Sequence, residues 1–231
     1  MKPVRQAHGK QVVIFIAPTG AGKGTQSDKL AEKFGFVHLE TSKIIEAKFA
    51  SADPNDEQIK KEKENFLTGK LVTPEVVTSW VIEKIRGLAQ GGKSIVFSGS
   101  FRTLYEAGEE IPVVEDLYGK EYIKIFYITL TEEESVKRNS NRRLCKANRH
   151  PIPDLPEFRE LMTCPQDGSE LVKRALDTPE VARIRYHEYV QRTTPVLDFF
   201  KKCGYTIIEI DGEQTIEKVS KDILSHFDDS Y

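Results

Sequence analysis

The segment Ala17-Pro18-Thr19-Gly20-Ala21-Gly22-Lys23-Gly24-Thr25 constrains this chain more than any other. An apolar run, Val12 to Ile16, precedes it and reads as a buried strand, and Gln26 to Phe34 follows as a helix. A strand, a glycine-rich turn and a helix with a lysine at the turn make a phosphate-binding loop. Backbone N–H groups of such a turn point inward at the helix N-terminus and hold anionic oxygens. Lys23 adds a point charge for the β- and γ-phosphates. Two positions depart from the general pattern: Ala17 stands where a first glycine is expected, and Gly24 where Ser or Thr is usual, with Thr25 one place later.

The rest of the chain supports a parallel α/β architecture. Candidate strands are Val12–Ala17, a short one near Phe36–Leu39, Ser94–Phe97, Ile123–Thr129 and Tyr205–Ile210. Their continuous apolar runs suit strands buried on both faces. Candidate helices are Lys23–Phe34, Thr41–Ala50, Glu57–Leu67, Pro74–Leu88, Leu104–Ile111, Glu132–Arg143, Glu180–Lys202 and Thr215–Phe227. Thr73 and Pro74 mark one start well, as cap and first helical residue. Alternation of this kind implies helices on both faces of a parallel sheet, with ligands beyond the carboxyl ends of the strands. One segment breaks the pattern. Cys145 to Gly168 holds Pro151, Pro153, Pro156 and Pro165 and is too long for a plain connection, so it reads as an inserted subdomain.

Composition narrows the function classes. At 231 residues, 39% hydrophobic and 30% charged, the chain fits one globular domain. No apolar run approaches the ~20 residues of a membrane span, and Met1 to Lys10 lacks the apolar core of a signal peptide. A cytoplasmic protein is therefore expected, with residues 1–10 as a flexible tail. A net charge of -2 gives no footprint for nucleic acid. Three cysteines are too few for a disulfide framework; Cys203 reads as a small packed residue.

Several blocks together resemble the adenylate kinase family in its long-lid form. Gly20 to Thr25 is similar to the family's phosphate loop, including its Gly-Thr ending, and Gly69-Lys70-Leu71-Val72-Thr73 to the segment that touches the acceptor adenine. Ser98-Gly99-Ser100-Phe101-Arg102 falls in the place of the family's Asp-Gly-Phe-Pro-Arg block. Arg138, Arg142 and Arg143 resemble the arginines entering the lid, and Arg174, Asp177 and Arg185 the residues leaving it. The resemblance implies a P-loop NTPase-like, five-stranded parallel sheet flanked by helices. It places a single nucleoside monophosphate kinase domain over 11–231, a helical acceptor-binding region at about 40–73 and a lid at about 143–178. It implies reversible, Mg²⁺-dependent transfer of the γ-phosphoryl of ATP to a nucleoside monophosphate, AMP in the first place, by a monomer of nucleotide biosynthesis with neither nucleic-acid nor membrane partners. Lys23, Arg102, Arg138, Arg174 and Arg185 are the implied catalytic charges. Gly20, Ala21, Gly22, Lys23, Gly24, Thr25, Arg138 and Arg142 would hold ATP. Thr41, Lys43, Lys70, Leu71, Val72, Gly99, Arg102, Glu106, Arg174 and Arg185 would hold the acceptor. Phosphoryl transfer is positioning and charge stabilisation, which explains a demand for arginine forks.

The departures cluster on the acceptor side. Glu46 stands where the family has a phosphate-binding arginine, and Lys43, three residues earlier, where it has an aspartate. Lys43 then either takes over the phosphate or makes an ordinary surface ion pair. Glu106 replaces the glutamine that reads adenine; an ionised glutamate only accepts, which suits the two donors of guanine. Ser98 replaces an aspartate of the Mg²⁺ water shell and brings no charge. A kinase for another acceptor such as GMP, and a catalytically weak ATP-binding relative acting as a sensor or partner protein, stay open beside the AMP kinase. Some lids of this family hold structural zinc with paired Cys-x2-Cys or Cys-x2-Asp. Cys164-Pro165-Gln166-Asp167 resembles the second pair; in the first, Asn148 occupies the ligand place after Cys145, and His150 is the substitute donor. Cys145, His150, Cys164 and Asp167 are the expected zinc set, against a lid held by hydrogen bonds alone.

Overall fold

The computed structural model describes residues 10–53, 55–68, 70–148, 150–154, 156–173 and 177–227. The expected tail therefore lies outside the described residues apart from Lys10, as do Gly69 and Arg174. In chain order the first half runs β1 (Val12–Ile16), α1 (Lys23–Phe34), β2 (Val37–Leu39), α2 (Thr41–Ser51), α3 (Glu57–Leu67), α4 (Pro74–Gln90), β3 (Ile95–Phe97) and α5 (Leu104–Tyr118). The second half runs β4 (Ile123–Thr129), α6 (Glu132–Asn141), β5 (Arg143–Cys145), β6 (Pro151–Ile152), α7 (Pro156–Arg159), β7 (Leu171–Lys173), α8 (Pro179–Glu188), α9 (Thr194–Lys202), β8 (Ile207–Asp211) and α10 (Ile216–Leu224).

Five strands form one sheet in the order β2-β3-β1-β4-β8, parallel throughout. The residues of β1 alternate between two cores. Val12, Ile14 and Ile16 pack with Val81 and Ile85 of α4, Ile111 and Val114 of α5 and Phe200 of α9. Val13 and Phe15 pack with Leu30 of α1, Val219 and Ile223 of α10, and Phe227. All five are at most 2% exposed, and each such burial is worth about 1.5–3 kcal/mol relative to exposure. A second sheet, antiparallel in the order β6-β5-β7, occupies the segment that sequence marks as an insertion.

Several boundaries differ from expectation. The last helix stops at Leu224, short of Phe227, and the last strand runs Ile207–Asp211, shifted from Tyr205–Ile210. Helix α5 continues through Pro112 to Tyr118 instead of stopping at Ile111, because Val114 and Tyr118 extend its buried face. Packing there outweighs the missing N–H. Helix α6 ends at Asn141, and Arg143 opens β5. Its guanidinium donates to the carbonyls of Leu161 and Phe158, so Arg143 braces the insertion. The single helix expected over Glu180–Lys202 is interrupted by a π-helical turn, Tyr189–Thr193. Pro195 sits just after it at the start of α9 and lacks the N–H that an uninterrupted helix needs. Helix α4 runs two residues beyond Leu88, to Gln90.

Candidate active site

The carboxyl ends of β1, β2 and β3 meet at one cleft of about 1140 Å³. The loop after β1 bends through Gly20 at φ 81° and Gly22 at φ 88°, both left-handed. Gly22 caps α1, so that helix begins at Lys23 with its first N–H groups turned to the loop. A Cβ on Gly20 would sit 2.6 Å from Asn139 Nδ2. That closeness reflects a clamp from α6: Thr19 Oγ1 donates to Asn139 Oδ1 at 3.0 Å and Ser135 Oγ donates to Thr19 O at 2.7 Å. Sequence reading missed Ser135 and Asn139, whose spacing of four is their one sign of sharing a helix face.

Cations converge on this loop. Lys23 Nζ donates to Ala17 O at 2.7 Å and Pro18 O at 2.8 Å. Burial, then the charges of Arg102, Arg185 and Arg142, hold its ammonium well below the usual lysine range. Arg102 is likewise lowered by burial, offset by Glu106 and Glu40. It follows Phe101, whose φ of 59° is a left-handed bend locked by edge-on packing against Phe97 at 5.3 Å. Thr193, from the π-helical turn, donates to Arg102 O at 2.8 Å, so the break in the α8–α9 helix serves to hold the Arg102 backbone. Arg142 is gripped by Asp177 through two bonds of 3.0 and 2.8 Å, and Arg185 Nη1 lies 3.9 Å from the same carboxylate. Arg138 is fixed by Glu134 and by Gly212 O, each at 2.8 Å. Lys23, Arg102, Arg138, Arg142 and Arg185 all line the cleft, with Gly20, Gly22, Gly24 and Thr25; Ala21 is buried behind them.

The other wall carries the expected acceptor residues in a different arrangement. Lys43, Lys70, Leu71 and Gly99 line the cleft. Val72 packs into the core. Thr41 is buried behind the wall, its Oγ1 2.9 Å from Ser100 Oγ, and a Cβ on Gly99 would come within 3.1 Å of it. Lys43 pairs with Glu40 at 3.2 Å, a cleft residue that sequence reading did not single out. Burial alone would raise Glu40, but Ser42, Lys43 and His38 bring it below the usual carboxylate range. Glu106 is turned away from the cleft. Its Oε2 accepts the Arg102 N–H at 2.9 Å and its Oε1 the Thr103 hydroxyl at 3.3 Å, while Thr103 Oγ1 accepts the Glu106 N–H at 3.1 Å. This is a variant of the capping box at the start of α5, in which the carboxylate reaches one residue further back than the cap residue's own N–H; burial raises Glu106 above its ordinary value, and the Arg102 N–H works against that rise.

A second cluster lies in the insertion. The donor atoms of Cys145, His150, Cys164 and Asp167 all lie within 4.8 Å of one another. His150 Nδ1 is 3.3 Å from both Cys164 Sγ and Asp167 Oδ2, and Cys145 Sγ is 3.0 Å from Asp167 Oδ2. The Cys145 thiol, the Ser169 N–H and the Asn148 amide hold Asp167 well below its usual range. Two thiols, an imidazole and a carboxylate at this spacing suit a tetrahedral ion with bonds of about 2.0–2.3 Å. Asn148, at the family's second ligand place, donates to Asp167 at 2.8 Å instead.

Comparison with known proteins gives this geometry a context. A family model described as adenylate kinase matches residues 15–205. The adenylate kinase of Archaeoglobus fulgidus is 35% identical over 214 residues, 91% of this chain and 95% of its own length. That of Petrotoga mobilis is 34% identical over 221 residues, 92% and 95% of the two chains. That of Kosmotoga olearia is 30% identical over 224 residues, 94% and 98%. Among the described residues no helix is long and apolar enough to cross a membrane.

Proposed function

This chain belongs to the adenylate kinase family and transfers a phosphoryl group from ATP to AMP, and we propose that the residues of its cleft divide that work as follows. Loop 17–25 wraps the donor phosphates in backbone N–H groups, and Lys23 leaves the carbonyls of Ala17 and Pro18 to meet them. The observation that carries this reading is the crowding of Lys23 with Arg102, Arg185 and Arg142. Cations packed together at one loop repel one another, and a polyanion between them relieves that repulsion. The same charges are then in place for the charge that spreads over the moving phosphoryl group. Arg138 joins them from α6, and Arg142 lies against ATP. Asp177 orients Arg142 and Arg185 from one buried carboxylate. Arg174 completes the expected set from outside the described residues.

The acceptor sits along the wall of Thr41, Lys43, Lys70, Leu71, Val72 and Gly99, with Lys43 as the cation in place of the arginine replaced by Glu46. Glu106 contributes by holding the Arg102 backbone. A guanine-reading role would need its carboxylate turned to the cleft, so AMP is favoured over GMP. Residues 40–73 form the acceptor-binding region and 143–178 the lid that excludes water from the reaction. The cleft also offers Ser98, Thr25 and Glu40, hard oxygen donors of the kind Mg²⁺ prefers; bound with ATP, Mg²⁺ would neutralise phosphate charge. The quartet Cys145, His150, Cys164 and Asp167 would hold structural zinc. The protein is taken to act in the cytoplasm as a monomer.

A coupled assay with ATP and Mg²⁺ against AMP, GMP, CMP and UMP tests the reading. Turnover with AMP above the other acceptors is expected. Turnover with GMP alone, or binding of ATP without turnover on any acceptor, would overturn it.

A further inference from the structure

Three side chains in the cleft form a hydrogen-bonded chain whose linkage the roles above leave unexplained. Asp28 stands on α1, His38 in the middle of β2 and Ser98 just past β3. Asp28 Oδ1 is 2.7 Å from His38 Nδ1, and His38 Nε2 is 2.6 Å from Ser98 Oγ. The parallel register of β2 and β3 sets Leu39 beside Phe97, and the Ser98 N–H donates to Leu39 O at 3.3 Å, which fixes the hydroxyl beside the ring. The His38 side chain is 10% exposed and that of Asp28 is 57% exposed; Ser98 is buried at 7%. All three line the same cleft as Lys23 and Arg102.

The donor and acceptor inventory determines how this chain is wired. An ionised Asp28 only accepts, so Nδ1 of His38 carries the ring proton. In the tautomer whose one N–H is at Nδ1, Nε2 is an acceptor and takes the single proton of Ser98. The remaining lone pairs of Ser98 Oγ are left for the cleft. A hydroxyl that donates to a ring which itself donates to a carboxylate is a stronger acceptor than a free one, because each bond polarises the next.

We propose that Asp28, His38 and Ser98 act as one positioning unit, presenting Ser98 Oγ as a polarised acceptor to a metal-bound water of Mg·ATP. The unit does in this chain the work of the carboxylate that Ser98 replaces, with the negative charge set back onto α1. The inference rests on the kinase reading of the cleft. It assigns His38 and Asp28 a role in holding the metal–nucleotide complex and none in contact with the reacting atoms.

The test uses the full chain and Mn²⁺ as the probe metal. Affinities for ATP with and without Mn²⁺ are measured by calorimetry, and the His38 tautomer by ¹⁵N NMR. Wild type is expected to show the His38 ring proton on Nδ1 and none on Nε2. His38→Gln and Asp28→Asn are each expected to weaken Mn·ATP binding about 10-fold, the scale for removing an outer partner of a metal site, and to leave metal-free ATP binding in place. In a Ser98→Asp background, His38→Gln is expected to cost nothing, because the carboxylate is restored. Equal loss of metal-free and metal-bound ATP would make the unit merely structural and overturn the proposal. So would a proton found on Nε2, a reading that needs no variant to fold, or His38→Gln costing as much in the Ser98→Asp background as in the wild type. Failure of the kinase reading is separately visible, as absence of AMP phosphorylation by the wild type.

Discussion

At the scale of single residues, substitutions in the loop around Lys23 are expected to cost the most. Lys23→Ala and Arg102→Ala are each expected to lower turnover at least ~100-fold, the scale of one lost transition-state charge contact; steady-state kinetics with Mg·ATP and AMP would show it, and near-normal turnover would contradict the assigned roles. Gly20→Ala meets two obstacles, a left-handed φ of 81° and Asn139 Nδ2 at 2.6 Å. It is expected to cost about 1–3 kcal/mol of stability and to raise the KM for ATP, read from a urea midpoint and a substrate titration. Residues of this kind were legible in the sequence because glycine, lysine and arginine at fixed spacings point to one chemistry. Asp28, Ser135 and Asn139 were not, since a polar residue on a helix looks the same whether it faces water or a loop brought in from far along the chain. Glu106 was misleading for a related reason: position in a motif says nothing of which way a carboxylate turns, and Thr103 three residues earlier had already offered it a cap.

At the scale of elements, the sheet and most helices could be read from apolar periodicity, caps and prolines. What periodicity missed was tertiary. Pro112 reads as a stop, yet α5 has a second buried stretch beyond it. The break in the α8–α9 helix carries no signal but Pro195, and its Thr193 contact to Arg102 is visible only once the fold is known. Helix α5 also carries an element-level cost. Glu110, one turn beyond Glu106, is fully buried; among the described residues no hydrogen bond of good geometry reaches either oxygen, and the Phe101 backbone offers only a weaker one. Burial, then the Glu106 charge, raises its carboxyl well above the usual range. A folded-state value above the unfolded one means the native form keeps a proton that the unfolded chain has released. Stability is then highest below the unfolded value and falls as pH climbs toward the folded one. Glu110→Leu removes this slope, so its gain in urea midpoint is expected to be larger at about pH 8 than at about pH 4. An equal gain at both would show that Glu110 is not the source.

At the scale of the whole molecule, the insertion is a small sheet with little core of its own. Among its described residues Leu144, Cys145, Ile152 and Cys164 are buried hydrophobics. A structural ion at Cys145, His150, Cys164 and Asp167 would supply what so small a unit lacks. Zinc near one equivalent per chain is expected in protein made with adequate metal. Its loss in Cys164→Ser is expected to bring a lower melting temperature. Elemental analysis and a thermal scan together check this, and a metal-free wild type would refute it. The main sheet carries a different consequence, one of timing. Its central strand is the earliest to be made, and Val12 has no neighbour until Ile95 and then Ile123 exist to pair with it. At the ~5–20 residues per second of synthesis, Val12–Ile16 spends several seconds as an apolar ribbon with both edges open. A strand fully buried in the finished protein thus waits longest for its partners, with both edges open until β3 and β4 emerge.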